Sequence, residues 1–378
     1  MINVNYYKDF FNGRYLSEGL RITAGILLPA FVMSYFNVLP IGIIMSVGAL
    51  CVSATDTPGA VRYRVNGMLF CNIVITIVSI IVCYATFSPI LLGIIIFVFG
   101  FLFSMLTVYG ARTSSVGIAA LLIMILNLET TIHGKDIFVN ALYILIGGTW
   151  YMLFSLMLYK IRPYKLIQQI LGDFIQSIGV YLNIRGTQYN KDPDYEKINE
   201  LLFQQQSKVQ TQQNLLSELL FETRAIVKES SHKARVLLKI YLDAADLFES
   251  IMTTYQQYSI LHQKFDATGI LHEYKQHITV LSNDLEVIGI AIKSGERSYS
   301  ANNIDDIKKT REHFESLRQH YMTDENVDDF ISLGRILNNI NDLAEKINEL
   351  HYYTTYDKKL EKEILRKLIL VYIQINMI

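Results

Sequence analysis

The chain has 378 residues, a formal net charge of −1 at pH 7, 51% hydrophobic residues and a mean hydropathy of +0.26. This charge balance lacks the basic excess typical of nucleic-acid-binding domains, so we expect no nucleic-acid partner. Residues 1–163 carry nine basic and five acidic side chains, whereas residues 164–378 carry 25 and 30. An apolar, slightly basic half followed by a polar, slightly acidic half predicts a membrane domain followed by a soluble domain.

The first half contains six apolar segments that reach or approach the ~20 residues that a membrane-spanning helix needs. They cover roughly 19–37, 39–55, 66–86, 89–109, 114–129 and 137–159. Very short links join the first segment to the second and the third to the fourth, which predicts antiparallel hairpins. Residues before the first segment show no cleavable signal-peptide pattern. We therefore expect a bundle of six transmembrane helices in residues 1–163, embedded in a lipid bilayer.

The cations between these segments predict the orientation of the bundle. If the N-terminus is cytoplasmic, nine Lys and Arg residues lie at the cytoplasmic ends of the segments, and only Lys135 lies outside. Such a bias follows the positive-inside rule, so both termini and the second half are predicted to be cytoplasmic.

Small residues recur one helical turn apart in several apolar segments. They are Gly42 and Ser46, Gly100 and Ser104, Thr113 and Gly117, and the adjacent pair Gly147 and Gly148. Small residues let membrane helices pack closely, although a substrate path lined by backbone would use them as well. Both interpretations stay open at this point.

The stretch TDTPGAVRYR separates the second and third apolar segments. Pro58 is expected to end the second helix and Gly59 to permit the turn. Asp56 would lie near a helix C-terminus, where the dipole disfavours a carboxylate, so it needs a partner such as Arg62 or Arg64. Asp56, Pro58 and Gly59 are therefore predicted to form a loop clamp that fixes the topology of the bundle.

A second cation-bearing turn, YGARTSS, contains Arg112 and is predicted on the same side of the membrane. Arg62, Arg64 and Arg112 could then converge in a cationic vestibule at the inner end of the bundle. Because a guanidinium binds a carboxylate bidentately, the ligand expected there is a small organic anion. The alternative is that these cations only set topology.

Polar residues inside the apolar segments are few. Asn72, Thr76 and Ser79 share one face of the third segment at positions i, i+4 and i+7, which favours hydrogen bonding between helices. Glu129, near Lys135 and Asp136, is predicted to be a solvated loop residue and not a proton carrier.

The second half is predicted to be a cytoplasmic antiparallel bundle of about six long helices over residues 164–362. Apolar residues follow a 3–4 alternation in three stretches, 237–251, 271–292 and 333–350. Breaks are expected near 185–193, 265–269, 294–303 and 322–326. Residues 363–378 turn apolar, which suggests the start of a further membrane segment.

No catalytic grouping, phosphate loop or metal-ligand spacing is found, so we expect neither an enzyme nor a cofactor or metal site. Cys51, Cys71 and Cys83 all lie in apolar segments and are predicted to be buried thiols.

Several stretches resemble the fusaric acid resistance protein-like (FUSC) superfamily, specifically the YccS/YhfK type of bacterial inner-membrane protein. They are the DTPGAVRYR loop, KIRPY after the sixth segment, LLFETRAIVKES (219–230) and ARVLLKIYLDAADLFE (234–249). Members of this type usually carry the six spans and the cytoplasmic domain twice, and this chain contains one copy.

The resemblance implies an inner-membrane transporter or channel that moves aromatic or hydrophobic organic anions out of the cytoplasm. One copy of the unit implies either that two copies pair or that the chain is a fragment of a longer protein, and the small-residue faces favour a homodimer. The alternative is a non-transporting scaffold whose cytoplasmic helices bind a protein partner.

Overall fold

A computed structural model describes residues 4–59, 61–128, 134–161, 164–222, 232–253, 258–301 and 304–354. Throughout these ranges the regular structure is helical and no strand occurs, which confirms the predicted all-α class.

Every apolar segment predicted from the sequence coincides with a helix. The helices up to residue 161 are α1 (Val4–Asn12), α2 (Arg14–Tyr35), α3 (Leu39–Ser53), α4 (Val61–Ala85), α5 (Pro89–Met105), α6 (Ala111–Leu128) and α7 (Asp136–Ile161). A short 3₁₀ turn, Leu106–Tyr109, prolongs α5. Pro40 and Pro89 occupy the first turns of α3 and α5, where the missing N–H costs no intrahelical hydrogen bond.

Among the described residues, five helices are long and apolar enough to cross a membrane. They are Arg14–Tyr35, Val61–Ala85, Pro89–Tyr109, Ala111–Leu128 and Asp136–Tyr159. The remaining predicted segment, 39–55, forms α3, which is also apolar but has only 15 residues. At 1.5 Å per residue α3 is shorter than the ~30 Å hydrocarbon core, so six complete spans remain a prediction.

The chain divides into two compact units. The apolar unit comprises Tyr15–Pro163, and the polar unit combines the described residues up to Arg14 with those from Tyr164 onward. Helix α1 therefore belongs to the polar unit. The assignment of residues 1–163 to a membrane domain and of 164–362 to a cytoplasmic domain stays a prediction, and residues 363–378 lie outside the described residues.

Helices distant in sequence make the closest contacts in the apolar unit. Helix α3 packs along α7, and α4 lies against both α6 and α7. A Cβ added at Gly147 would collide with the main-chain carbonyl of Met45, and one added at Gly48 would collide with that of Ile144. Glycine thus allows the backbones of α3 and α7 to touch, which supports the packing interpretation of these small residues. Gly100 differs, because nothing lies within 4 Å of a Cβ added there.

The polar unit continues with seven described helices. They are α8 (Lys165–Gly186), α9 (Tyr195–Ser217), α10 (His232–Thr253), α11 (Tyr258–Phe265), α12 (Ile270–Ser294), α13 (Ile304–Tyr321) and α14 (Val327–Tyr353). The four predicted breaks coincide with helix ends, whereas the ends at Ser217, His232, Thr253 and Tyr258 lie at no predicted break. Asp194 is the N-cap of α9 and accepts a hydrogen bond of 3.1 Å from the Lys197 N–H.

The three predicted apolar seams form the core of the polar unit. Leu237 and Ile240 of α10, Leu281 and Leu285 of α12, and Leu333 of α14 are all at most 1% exposed. All belong to one contiguous hydrophobic cluster, so the 3–4 alternation identified the buried faces correctly.

We expect Gly147→Ala to lower the stability of the apolar unit by about 1–3 kcal/mol, because the new methyl group would force α3 and α7 apart. Gly67→Ala is the matched control, since no described atom lies within 4 Å of a Cβ added at that position of α4. It should be neutral or stabilise the helix by about 1 kcal/mol or less. Thermal unfolding midpoints of the full chain in detergent measure both effects, and equal midpoints would contradict the close α3–α7 contact.

Candidate functional site

The candidate site begins in the connection between α3 and α4. The Thr55 hydroxyl donates a hydrogen bond of 2.8 Å to the Val52 carbonyl, and the Asp56 N–H donates one of 3.1 Å to the Ser53 carbonyl. These bonds continue the last turn of α3, after which Pro58 prevents further helix. Gly59 has a φ of +153°, which L side chains rarely adopt. The loop thereby holds the Asp56 carboxylate inside the apolar unit, where its side chain is fully buried.

Two guanidinium groups share this carboxylate. Arg64, from the first turn of α4, donates through Nε at 2.9 Å and Nη2 at 2.6 Å to Oδ1 of Asp56. Arg21, from α2, places Nη2 3.0 Å from Oδ2. The sequence suggests Arg62 or Arg64 as the partner of Asp56. In the structure the partner is Arg64, and Arg21 is a second one.

Helix α7 supplies two hydroxyl donors to the same carboxylate. Ser155 Oγ donates to Oδ2 of Asp56 at 2.7 Å, and the Tyr151 hydroxyl donates to Oδ2 at 3.2 Å. Ser155 follows Tyr151 by four residues, so both side chains project from one face of α7. Residues from α2, α4 and α7 therefore meet at one charged side chain of the α3–α4 connection.

The charge state of Asp56 follows from these neighbours. Burial would raise the pKa of its carboxyl, but the positive charges of Arg64 and Arg21 and the Ser155 hydrogen bond outweigh burial and bring the pKa below its usual 3.8. Asp56 is therefore ionised at neutral pH. Together with two guanidinium groups that do not deprotonate, it leaves the Arg21–Asp56–Arg64 cluster with one net positive charge.

The three arginines proposed as a vestibule have different surroundings. Arg64 is 2% exposed and is held by Asp56. Arg112 lies at the start of α6, where its Nε donates to Thr57 Oγ1 at 2.9 Å and its Nη2 donates to the Pro58 carbonyl at 3.1 Å. Arg62 is exposed and forms no ion pair with another residue that the structure describes. The structure thus brings Arg64 and Arg112 to the same loop and leaves Arg62 apart.

The predicted polar face of α4 contacts two other helices. Asn72 Nδ2 donates to the Leu145 carbonyl and to Thr149 Oγ1 of α7, each at 3.1 Å. Ser79 accepts a hydrogen bond of 3.2 Å from Asn127 of α6.

Thr76 donates to the Asn72 carbonyl of its own helix at 2.7 Å. These bonds agree with the helix-packing interpretation of the polar face. Glu129 lies outside the described residues.

Sequence reasoning missed Arg21, Tyr151 and Ser155 as members of the site. Arg21 is one of the nine Lys and Arg residues that predict the orientation of the bundle, and nothing in the sequence links it to Asp56. A serine and a tyrosine in an apolar helix carry little sequence signal. Guanidinium and hydroxyl groups are hydrogen-bond donors that match a carboxylate, and in this cluster they serve Asp56.

We expect Asp56→Asn to destabilise the protein by about 3–5 kcal/mol at pH 7, because it leaves Arg64 buried without a counter-charge. The depressed pKa of Asp56 means that this stabilisation is present above about pH 4 and is lost only at lower pH.

In a double-mutant cycle, Arg64→Gln should cost much less in the Asp56→Asn background than in the wild type. Asp136→Asn, which removes an exposed carboxylate, is the matched control and should change stability by about 0.5 kcal/mol or less. Unfolding midpoints that are equal for Asp56→Asn and Asp136→Asn would refute the buried ion pair.

Comparisons with known proteins agree with the helical membrane architecture. A family profile described as "FUSC-like inner membrane protein yccS" matches residues 68–351, and thus begins just after Arg64. An uncharacterized protein from Haemophilus influenzae is 20% identical over 330 residues, which cover 86% of this chain and 46% of that protein. The chain thus spans about half the length of this curated relative. Because the profile covers well over half of the chain, which contains several apolar helices, this protein is a multi-pass membrane protein of the FUSC-like family.

Proposed function

We propose that this protein is a transporter or channel that moves organic anions, aromatic or hydrophobic in character, out of the cytoplasm across the bacterial inner membrane. Its N-terminus and its polar unit then lie in the cytoplasm, and the solute undergoes no chemical conversion. The observation that carries the proposal is the Arg21–Asp56–Arg64 cluster, in which two guanidinium groups share one buried carboxylate.

The charge of the cluster favours anions as solutes. Ionisable residues inside membrane-spanning bundles are costly, and their retention is typical of substrate or ion pathways. A net positive charge in a poorly hydrated surrounding repels cations and attracts anions. A guanidinium also matches the planar geometry of a carboxylate, which favours organic acids over other anions.

The arginines have separate roles in this proposal. Arg64 fixes Asp56, and Arg112 holds the Thr57 side chain and the Pro58 carbonyl. Arg62, which is exposed, attracts anions from solution toward the inner end of the apolar unit. In place of a vestibule of three converging arginines, the proposal has a structural arginine, Arg64, a loop-positioning one, Arg112, and a steering one, Arg62. Arg21 is added to them.

A homodimer is part of the proposal. Gly93 and Gly100 lie seven positions apart on α5, and among the described residues no atom comes within 4 Å of a Cβ added at either glycine. Both glycines therefore leave room for close helix contact, and a second copy of this chain is the partner we propose for α5.

A non-transporting scaffold is the second candidate. It is supported by a cleft of about 580 Å³ between α10 and α14 in the polar unit. Five carboxylates line this cleft: Asp243, Asp246, Asp342, Glu345 and Glu349. A basic segment of a partner protein would suit such a surface. A scaffold requires no solute flux through the apolar unit, and this separates the two candidates.

Proteoliposomes loaded with radiolabelled benzoate test transport. Wild-type protein should release benzoate faster than protein-free liposomes. Arg62→Gln should slow release several-fold at low ionic strength, and the difference should vanish near 1 M salt, where the Debye length is about 3 Å.

Lys135→Gln is the matched control, since it removes an exposed cation that is predicted on the opposite side of the membrane. Equal effects of the two substitutions would contradict the steering role of Arg62. Release no faster than from protein-free liposomes would contradict transport and favour the scaffold.

A further inference from the structure

Arg21 and Arg64 hold the same carboxylate with different strength. Arg64 makes two hydrogen bonds to Oδ1 of Asp56, and its side chain is 2% exposed. Arg21 makes one contact, at 3.0 Å to Oδ2, and its side chain remains 19% exposed. Arg21 is therefore the guanidinium that a solute can reach and that can leave Asp56 more readily.

Arg21 also has donor capacity that the protein does not use. Its Nε is buried and has no hydrogen-bond partner among the described residues. A guanidinium presents its N–H groups as a fork that suits two carboxylate oxygens at once. An anion that accepts from Nε would satisfy this donor and so remove the cost of leaving it buried and unpaired.

Asp56 does not depend on Arg21 alone. Oδ2 also accepts hydrogen bonds from Ser155 and from Tyr151, while Oδ1 stays with Arg64. If Arg21 turns away, the carboxylate keeps a buried cation and two hydroxyl donors. The exchange of Arg21 from Asp56 to another anion is thus possible without leaving a buried charge unpaired.

We propose that Arg21 is a solute-binding residue and that Asp56 is an internal counter-ion which an incoming carboxylate displaces from it. This inference rests on the proposed anion transport and names the class of solute. The Arg21–Asp56–Arg64 cluster has one net positive charge, so a monocarboxylate neutralises it, whereas a dicarboxylate would leave an uncompensated negative charge. The site therefore prefers monovalent carboxylates.

The test uses the purified full chain in dodecyl maltoside, with benzoate as the monovalent probe and phthalate as the divalent one. Equilibrium binding is measured for the wild type, Arg21→Gln, Arg21→Lys and Asp56→Asn. Arg21→Gln should weaken benzoate binding by about tenfold or more, and Arg21→Lys should recover part of it, because charge returns without the bidentate fork.

Asp56→Asn should strengthen benzoate binding about tenfold, because the competing internal carboxylate is gone. If this variant does not fold, Arg21→Gln still decides the outcome, since Asp56 retains Arg64, Ser155 and Tyr151 there. Lys135→Gln is the matched control for the loss of one positive charge and should bind benzoate as the wild type does.

Three results would overturn the inference: absence of benzoate binding to the wild type, equal binding by the wild type and Arg21→Gln, or tighter binding of phthalate than of benzoate. A lipid phosphate is the other source of a monovalent oxyanion. Phosphatidylglycerol added to the micelles should leave benzoate binding unchanged. If benzoate binding instead falls in proportion to the added lipid, the site binds the lipid phosphate.

The inference and the proposed function can fail separately. If benzoate binds in an Arg21-dependent manner but is not transported, the binding site at Arg21 is supported and the proposed transport is refuted. If the benzoate flux is the same for Arg21→Gln and the wild type, transport is supported and the proposed counter-ion exchange at Arg21 is refuted.

Discussion

A carboxylate can be ionised inside an apolar helical unit only if cations and hydrogen-bond donors surround it. The neighbours of Asp56 must therefore supply both. The desolvation of such an ion costs several kcal/mol, so its partners must be held in good geometry. Arg21 of α2, Arg64 of α4, and Tyr151 and Ser155 of α7 all meet the carboxylate, which itself belongs to the α3–α4 connection. Hydrophobic contacts have little preferred direction in a bilayer, because lipid tails are as apolar as the helix surfaces. Directional bonds to Asp56 and backbone contacts at Gly48 and Gly147 therefore do much to specify the packing.

The positions of the helices and their buried faces could be predicted from the sequence. Apolar runs and proline positions located the helices of the apolar unit within a few residues, and the 3–4 alternation located the buried faces of α10, α12 and α14. The dipole at the end of α3 indicated that Asp56 requires a cation, and Arg64 is that cation. These features could be predicted because each depends on residues that are close along the chain. Hydropathy also marked α3 as a sixth segment, although its 15 residues make it shorter than the other five candidates.

The composition of the site could not be predicted in the same way. Arg21 reaches Asp56 from 35 positions away, and Ser155 does so from 99 positions away, so only the packing of α2 and α7 brings them together. Arg62 and Arg64 face different sides of α4, because two positions along a helix turn a side chain by about 200°. Gly100 has the spacing of a packing residue, but no atom of the described residues lies within 4 Å of a Cβ added there. Spacing identifies a face of a membrane helix without identifying what covers that face.

A cluster with an internal counter-ion gives a simple account of how a membrane protein can keep an anion site without leaving a charge unpaired. In the proposed exchange, Asp56 pairs with Arg21 when no solute is bound, and it keeps Arg64, Ser155 and Tyr151 as partners when a solute occupies Arg21. Infrared difference spectroscopy of the full chain with ¹³C-labelled aspartate, recorded with and without benzoate, tests this account most directly. The account predicts a shift of an ionised aspartate carboxylate band on benzoate addition, with no protonated-acid band, and the loss of this shift in Arg21→Gln. An aspartate spectrum that benzoate leaves unchanged would contradict it.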